Sequence, residues 1–191
     1  MAASEPGADC FGSSNGGFGS FRHLAVRFLG ALDPRGPTPA EEAWALEWLR
    51  PGEQEVWRRM SGPDRRHAAG VARDTASLLA DPRPPREVMA AALLHDVGKV
   101  ESGLGTFSRV AVTLAAIAVG RERLTGERAD LPEWRRRVRD YLLHDQIGAS
   151  MLAGAGSDAL TVAWAGEHHL PPERWSLDRR VADALKAADG D

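Results

Sequence analysis

Histidine and aspartate side chains supply the chemistry in this sequence. Five of the six histidines lie after residue 60, and most of these adjoin apolar stretches. Imidazole and carboxylate groups bind divalent ions such as iron, manganese and zinc. A helical bundle can bring such side chains together from several helices. The residue types therefore predict a shared metal site that draws on His67, His95, His144, His168 and His169.

The pair His95-Asp96 is the centre of this predicted site. It follows the apolar run 91–94 and precedes Gly98, which is expected to permit a turn. Neighbouring residues on a helix point about 100° apart, so the two side chains do not bind one ion as an i, i+4 pair would. Asp96 is better suited to bridging two ions or to reaching around one. The alternative interpretation is a helix end whose polar side chains bond to local backbone groups.

The wider pattern resembles the H…HD…D signature of the HD-domain phosphohydrolases. Two further elements are similar to those of the dinuclear subgroup that includes the HD-GYP proteins: H-x-x-x-G-A at 144–149 and the paired histidines at 167–169. The resemblance covers residues 60–191 and implies an all-α HD-domain helical bundle with a metal-dependent phosphohydrolase activity. The residues that carry the signature are His67, His95, Asp96, Gly98, Lys99 and Asp189.

The resemblance also implies the ligands. It assigns two divalent ions, iron, manganese or similar, with Asp96 as a bridge between them. Asp189 is preferred to Asp183 and Asp191, because the run 185–189 fits the apolar-Ala-Asp ending of the family. The implied metal ligands are His67, His95, Asp96, His144, His168, His169 and Asp189.

Lys99 is one of only two lysines among 24 basic residues. A compact ammonium charge beside the His-Asp pair suits a phosphate group. An interaction with the negative end of the preceding helix explains the lysine equally well. We expect Asp96 and Lys99 to be the catalytic residues. Arg73 and Arg174 are weaker phosphate-binding candidates, because arginine is abundant throughout the chain.

The expected substrate is a nucleotide or a small phosphorylated metabolite, whose phosphoester is cleaved by metal-activated water. The segment 170–175 lacks the Asp-Gly-x-Gly-Tyr-Pro run of HD-GYP enzymes, so hydrolysis of cyclic-di-GMP is not implied. Two alternatives stay open: a non-catalytic HD domain that binds a nucleotide or partner protein, and a di-iron oxygenase of the HD fold. A strict dependence on iron and oxygen would distinguish the oxygenase.

Composition argues against several partners. The net charge of −3 lacks the basic excess with which proteins bind polymeric nucleic acid. The longest apolar run, 110–119, is about half of the roughly 20 residues needed to span a bilayer, so it predicts a buried helix and no membrane partner. Cys10 is the only cysteine, and the N-terminal residues lack a secretory pattern. These features favour the cytoplasm; the oligomeric state is left open.

Three regions are predicted: a flexible Gly/Ser-rich leader over 1–20, an N-terminal helical extension over 21–60 and the HD metal-binding domain over 61–191. Thr38 and Glu41 flank a proline in a pattern typical of a helix start. Further helices are predicted over 53–60, 63–80, 85–97, 106–124, 131–145, 148–154, 158–168 and 178–188.

Four other side chains are expected to stand outside the chemistry. Trp44 and Trp48 are predicted to pack in the core, as large aromatic residues usually do. Asp145 is predicted to be solvated, because the second His-Asp pair lacks the Gly-Lys that follows the first. His23 is expected to be structural or exposed.

Overall fold

The computed structural model describes residues 34–126 and 131–190, which form an all-helical protein without a strand. The leader predicted over 1–20, His23 and Asp191 lie outside the described residues. The helices are α1 (Pro39–Glu47), α2 (Pro51–Arg59), α3 (Gly62–Leu78), α4 (Arg86–Leu94), α5 (Lys99–Ser102), α6 (Thr106–Val119), α7 (Arg121–Thr125), α8 (Glu133–Leu142), α9 (His144–Gly154), α10 (Ala159–Glu167) and α11 (Arg179–Asp189), with a 3-10 turn over Pro172–Arg174.

Side-chain caps begin several of these helices. Thr38 Oγ1 accepts a hydrogen bond from the N–H of Glu41 at 3.3 Å, and the Glu41 carboxylate accepts from the N–H of Thr38 at 2.8 Å. This capping box confirms the predicted start of α1. The side chains of Ser61 and Asp178 accept backbone N–H groups at the starts of α3 and α11. Both of these helices carry predicted ligands.

Helix α4 is the centre of the fold. Every residue from Val88 to Leu94 is at most 1% exposed, because α4 packs against both α3 and α10. Helix α9 packs on α10, and α11 packs on α3. Since α4 ends at Leu94, the His95-Asp96 pair that follows it lies in the interior of the protein.

The tryptophans of α1 pack as predicted. Trp44 and Trp48 are partly buried against the hydrophobic core. Trp57 on α2 and Trp164 on α10 are at most 1% exposed and belong to the core itself. These large aromatic side chains therefore belong to one core or pack against it.

Three predicted helices between residues 106 and 154 have wrong boundaries. The helix predicted over 106–124 is interrupted at Gly120, whose φ of +89° lies in a region that favours glycine. The helix predicted over 131–145 ends at Leu142, and α9 begins at His144 rather than at residue 148. Leu143 separates them with φ −104° and ψ 17°. The break places a predicted ligand at the first position of a new helix.

Helix α6 is largely exposed, so the prediction of a buried helix over 110–119 is wrong. Leu114 is 61% exposed and Ile117 is 77% exposed. The inward side is fixed by Arg109, whose guanidinium donates to the two carboxylate oxygens of Asp64 on α3, each at 2.9 Å. Contacts along one side attach the helix and leave an apolar side in water.

No single helix within 34–126 or 131–190 has both the length and the apolarity needed to cross a membrane. By length and composition alone, the bent pair Arg86–Ser102 and Phe107–Val119 would qualify together, at an angle of 91°.

Candidate metal centre

Five helices and the segments beside them bring the seven predicted ligands together. His67 lies within α3, His144 is the first residue of α9, and Asp189 is the last residue of α11. The other ligands directly follow helices, so their side chains are placed by helix ends. These are His95 and Asp96 after α4, and His168 and His169 after α10.

Two overlapping groups of side chains are able to hold a metal ion. Within each group the ligand atoms lie within 4.8 Å of one another. Asp96 belongs to both groups. The first group consists of His67, His95 and Asp96, and the second of Asp96, His144, His168 and His169.

The two carboxylate oxygens of Asp96 face different histidines. Oδ1 lies 3.3 Å from Nε2 of His144 and 3.8 Å from Nε2 of His168. Oδ2 lies 3.4 Å from Nε2 of His95 and also accepts a hydrogen bond from Nζ of Lys99. The carboxylate therefore presents one oxygen to each group, which suits a bridge between two ions.

Asp189 adjoins the first group. Its Oδ1 lies 3.1 Å from Nε2 of His67 and 3.4 Å from Nε2 of His95. Asp183, the other described candidate for the terminal ligand, has a side chain 54% exposed and pairs with Arg179. The structure thus brings Asp189 to the cluster and leaves Asp183 outside it.

Backbone carbonyls orient three buried imidazoles in the same way. Nδ1 of His95, His144 and His168 lies 2.9, 2.7 and 3.0 Å from the carbonyl oxygen of the residue three positions earlier. A carbonyl oxygen only accepts, so Nδ1 carries the proton in each ring. A neutral ring then keeps its lone pair on Nε2, the atom that faces Asp96. Metal-bound histidines are held by this kind of second hydrogen bond.

The nitrogen atoms of the cluster fit a bound metal. Nε2 of His95 and Nε2 of His168 are buried and make no hydrogen bond within the part of the chain that the structure describes. Nε2 of His144 and Nε2 of His169 face each other at 3.2 Å. Because Nδ1 of His144 carries the proton, Nε2 of His169 donates to Nε2 of His144 when no metal is bound. A buried polar atom without a partner is rare in folded proteins. Divalent ions between these atoms would satisfy all four nitrogens.

Burial keeps His168 and His169 of the second group neutral. Burial, followed by the charges of His169 and His95, lowers the pKa of His168 to about 2. Burial, followed by His144, lowers the pKa of His169 to about 3. His169 is the most exposed ring of its group, so water weakens this second shift. Neutral imidazole is the form that binds a metal ion.

In the first group, neighbouring carboxylates favour the charged form of a histidine. Burial by itself lowers the pKa of His95, but the Asp96 and Asp189 carboxylates outweigh it and raise that pKa to about 10. Burial opposes ionisation of Asp96, yet the charges of Lys99 and His95 hold its pKa well below the usual value. A cation is therefore favoured beside His95, and metal binding there is coupled to release of a proton.

In the metal-free protein, we expect the free energy of unfolding to fall as the pH drops below 6.5. The pKa of His168 is about 2 in the folded chain and 6.5 in the unfolded chain, so between these values only the unfolded chain binds this proton. Stability then falls by up to about 1.4 kcal/mol per pH unit. The His95 contribution is complete below pH 6.5 and is lost as the pH rises toward about 10. Urea unfolding in the presence of a chelator measures both slopes.

The variant His168→Gln is the control, because glutamine is polar but does not titrate. Its stability should fall less steeply between about pH 5 and 6.5, where carboxylates contribute little. The slope that remains comes from His169, whose pKa is lowered to about 3. An unchanged slope in this variant would show that His168 is not the group responsible.

Both lysines of the chain contact the site. Burial opposes the charge on Lys99, but Asp96 raises its pKa, so Lys99 is a cation. Lys186 on α11 donates from Nζ to the carbonyl oxygen of His168 at 2.9 Å. The sequence analysis did not predict a role for Lys186. Lysine is rare in this chain, and this rarity could have marked Lys186 as a candidate site residue. It joins α11 to the segment that carries the paired histidines.

Gly98 allows two ligand-bearing segments to touch. It lies in the turn between α4 and α5, as predicted, with a φ of −63° that other residues also adopt. A Cβ at Gly98 would overlap the carbonyl oxygen of His144 and would lie 2.6 Å from the nitrogen of Gly148. A Cβ at Gly148 would lie 3.1 Å from the nitrogen of Gly98. The two motif glycines are therefore needed for close backbone approach.

Gly98→Ala should push the start of α9 away from the His95-Asp96 segment. We expect a loss of about 1–3 kcal/mol in the free energy of unfolding, as for other overpacked sites. We also expect metal affinity to fall by at least about tenfold, because His144 moves with α9. Urea unfolding and metal titration measure the two effects.

Gly70→Ala is the matched control for this substitution. Gly70 lies inside α3, and a Cβ there would meet nothing within 4 Å. Alanine is the better helix former, so this variant should gain roughly 0.5–1 kcal/mol and keep its metal affinity. Equal behaviour of the two variants would rule out the close-approach explanation.

Asp145 is buried, so the prediction of a solvated side chain is wrong. It is 5% exposed, and its two oxygens accept hydrogen bonds from Arg121 at 3.1 and 3.2 Å. Oδ1 also accepts from the N–H of Gln146 at 2.9 Å. Asp145 belongs to neither ligand group. Its partner Arg121 lies in α7, 24 residues away in the chain. A local sequence pattern therefore does not indicate this pair.

The two arginines considered for phosphate have other surroundings. Arg73 donates to the Glu41 carboxylate at 2.8 Å and lies over the ring of Trp44. Arg174 is exposed in the 3-10 turn after α10. Neither is a member of the ligand groups.

No family model, no curated protein and no solved structure matches this chain. The described residues form an all-helical protein with a buried His/Asp cluster that is able to hold metal. This arrangement is loosely compatible with the HD-like fold that the motifs resemble.

Proposed function

We propose that this protein is a metal-dependent phosphohydrolase of the HD type, acting on a phosphoester of a nucleotide or small phosphorylated metabolite. The observation that carries the proposal is the pair of ligand groups that share Asp96. All of the grouped donors are imidazole nitrogens or carboxylate oxygens, which suit iron, manganese and similar ions. With Asp189 beside them, the donors suffice for two ions with Asp96 as the bridge.

Each part of the site has a role in this chemistry. Two divalent ions held here would lower the pKa of a water molecule toward neutrality and neutralise phosphate oxygens as charge moves onto the leaving group. The carbonyls bound to Nδ1 keep the three buried imidazoles in position. Lys99 adds a positive charge beside Asp96 that is suited to a phosphate oxygen.

The cluster reaches the surface at one histidine of each group. His169 is exposed, and the side chain of His67 is 31% exposed. The other members are buried. We infer that a phosphorylated substrate contacts the buried ligands past these two rings, which leaves the Asp96 carboxylate protected from bulk water.

Lys99→Met should reduce phosphoester turnover by about 10²-fold, the usual effect of removing one group that stabilises developing charge. Metal content should stay at the wild-type value, because bound cations neutralise Asp96 in place of the lysine. Lys99→Arg, which keeps the charge, should recover part of the rate. A Met variant that turns over at the wild-type rate would exclude Lys99 from the reaction.

Release of p-nitrophenol from bis-p-nitrophenyl phosphate tests the proposal. The chelator-treated protein is reconstituted with manganese or iron and assayed in air and under nitrogen. Metal-dependent release at equal rates in both atmospheres supports a hydrolase. Metal binding without release would contradict it and favour a non-catalytic binding domain. Activity that requires iron and oxygen would instead indicate an oxygenase.

A further inference from the structure

The paired histidines lie on a short backbone segment that directly follows α10. The last carbonyl groups of a helix have no partner within the helix, so other donors have to satisfy them. Here the carbonyl oxygens of Glu167, His168 and Leu170 accept hydrogen bonds from side chains that follow in the chain. The donors are Trp175, which precedes α11, and Lys186, which lies within it. Two residues that belong to neither ligand group therefore hold this segment.

One indole N–H serves two of these carbonyls. Nε1 of Trp175 lies 3.1 Å from the carbonyl oxygen of Glu167 and 3.0 Å from that of Leu170. Its single hydrogen is thus shared between the residues on either side of the histidine pair. The indole ring packs edge-on against the buried ring of Trp164, with 5.6 Å between the two centroids. This contact fixes the direction in which the N–H points.

Lys186 and Ser176 hold the same segment at two further points. Nζ of Lys186 donates to the carbonyl oxygen of His168 at 2.9 Å. The Glu167 carboxylate accepts hydrogen bonds from the N–H of Ser176 at 2.6 Å and from its hydroxyl at 2.7 Å. Lys186 lies on α11, the helix that ends at Asp189. One helix therefore places a carboxylate beside the first ligand group and a donor behind the second.

His169 depends on this backbone more than the other histidines of its group. His144 and His168 each bond through Nδ1 to a backbone carbonyl, which fixes the ring. Nδ1 of His169 has no such bond among residues 34–126 and 131–190, and its Nε2 contacts only Nε2 of His144. A metal ion would replace that contact. The place of the His169 ring is then set by the backbone that carries it.

We propose that Trp175 and Lys186 are positioning residues for the second ligand group, which they fix through the backbone of His168 and His169. This role rests on the two-ion site of the proposed function and not on the reaction. The first group takes its side chains from α3 and from the segment after α4, so it does not depend on the two donors. Removal of either donor should weaken the second ion and leave the first in place.

Lys186→Met removes one hydrogen-bond donor and one positive charge. If the ammonium group acted only by repelling bound cations, this variant would bind metal more tightly. The positioning role predicts the opposite: the affinity for the second ion should fall by about 10–100-fold, the usual cost of losing a group that supports a metal ligand. Lys186→Arg keeps a donor and should recover part of the affinity.

Arg180→Met is the matched control for Lys186→Met. Arg180 also lies on α11, and its guanidinium donates to a backbone carbonyl oxygen, that of Leu79, at 2.8 Å. The control therefore removes the same kind of bond from the same helix at a distance from the ligands. It should keep both ions at the wild-type affinities.

Trp175→Phe isolates the indole N–H, because phenylalanine keeps an aromatic ring against Trp164 and lacks the donor. We expect the same selective weakening of the second ion as in Lys186→Met. Trp57→Phe is its control, since it removes an indole hydrogen bond of 2.8 Å to the Glu42 carboxylate. The control should keep both ions when folded, as checked by circular dichroism.

Calorimetric titration of the chelator-treated full chain with manganese measures the two affinities. With metal enough to fill both wild-type sites, electron paramagnetic resonance should show a spin-coupled pair in the wild type and isolated ions in Lys186→Met and Trp175→Phe. An unchanged second affinity in both variants, an equal loss of both ions, or a wild type that binds a single ion would overturn the proposal. Selective loss of the second ion, without release of p-nitrophenol by the wild type, would support the positioning role and contradict only the phosphohydrolase.

Discussion

Asp96→Asn should lose both metal ions and lower phosphoester turnover by at least about 10³-fold, or roughly 4 kcal/mol of transition-state stabilisation. The amide keeps the shape of the carboxylate but has one acceptor oxygen and no negative charge. It therefore cannot present an oxygen to each ligand group, as Oδ1 and Oδ2 of Asp96 do. Metal content by mass spectrometry and release of p-nitrophenol measure the two losses.

Asp145→Asn is the control, because Asp145 also follows a histidine and is similarly buried, at 5% against 4% for Asp96. Its partner is Arg121 rather than the ligand cluster. This variant should lose stability and keep its metal and turnover when folded, as checked by circular dichroism. Retention of two ions by Asp96→Asn, or their loss from a folded Asp145→Asn, would contradict the role given to Asp96.

Metal loading should raise the free energy of unfolding by about 4 kcal/mol when free metal is 1,000 times its dissociation constant. The unfolded chain lacks the assembled cluster, so the ions bind the folded state preferentially. The gain should shrink as the pH falls below about 10, because metal binding beside His95 displaces the proton that its raised pKa retains. Urea unfolding with manganese and with chelator gives the difference directly.

Calcium provides the control for this gain. It prefers sites made of oxygen ligands, whereas most of the grouped donors here are imidazole nitrogens. Calcium at the same concentration should leave the unfolding curve close to that of the chelated protein. Equal stabilisation by calcium and manganese would point to nonspecific binding rather than to the histidine cluster.

Local patterns were sufficient to predict the helices that surround the site. The capping pattern of Thr38 and Glu41 fixed the start of α1, and the apolar run before His95 predicted the buried helix α4. The breaks at Gly120 and Leu143 could not be predicted in this way. They depend on backbone angles that tertiary contacts select among several allowed by the same residues.

The ligand cluster was predictable because motif spacing and residue type agree. His67 and Asp189 lie far apart in the chain but contact each other. The H…HD…D motif, which includes both residues, implied this proximity. The contacts of Lys186 and Asp145 were missed, since each depends on a partner from another helix. The role of Gly98 was also missed, because close backbone contact with α9 exists only in the folded chain.

The apolar run in α6 shows a different limit. Composition alone predicted burial, because apolar residues are mostly inside folded proteins. Exposure depends on which side of the helix meets the rest of the fold, and the contact of Arg109 with Asp64 decides that. Charged residues are usually exposed, but Glu53 is fully buried and paired with Arg86 at 2.8 Å.

Anomalous diffraction from crystals loaded with manganese is the most direct measure of a dinuclear centre. Two peaks about 3.5–4 Å apart are predicted on either side of the Asp96 carboxylate. One should lie beside His95 and Asp189, and the other beside His144 and His168. A single peak at the cluster, or peaks that do not adjoin Asp96, would contradict the proposed two-metal phosphohydrolase.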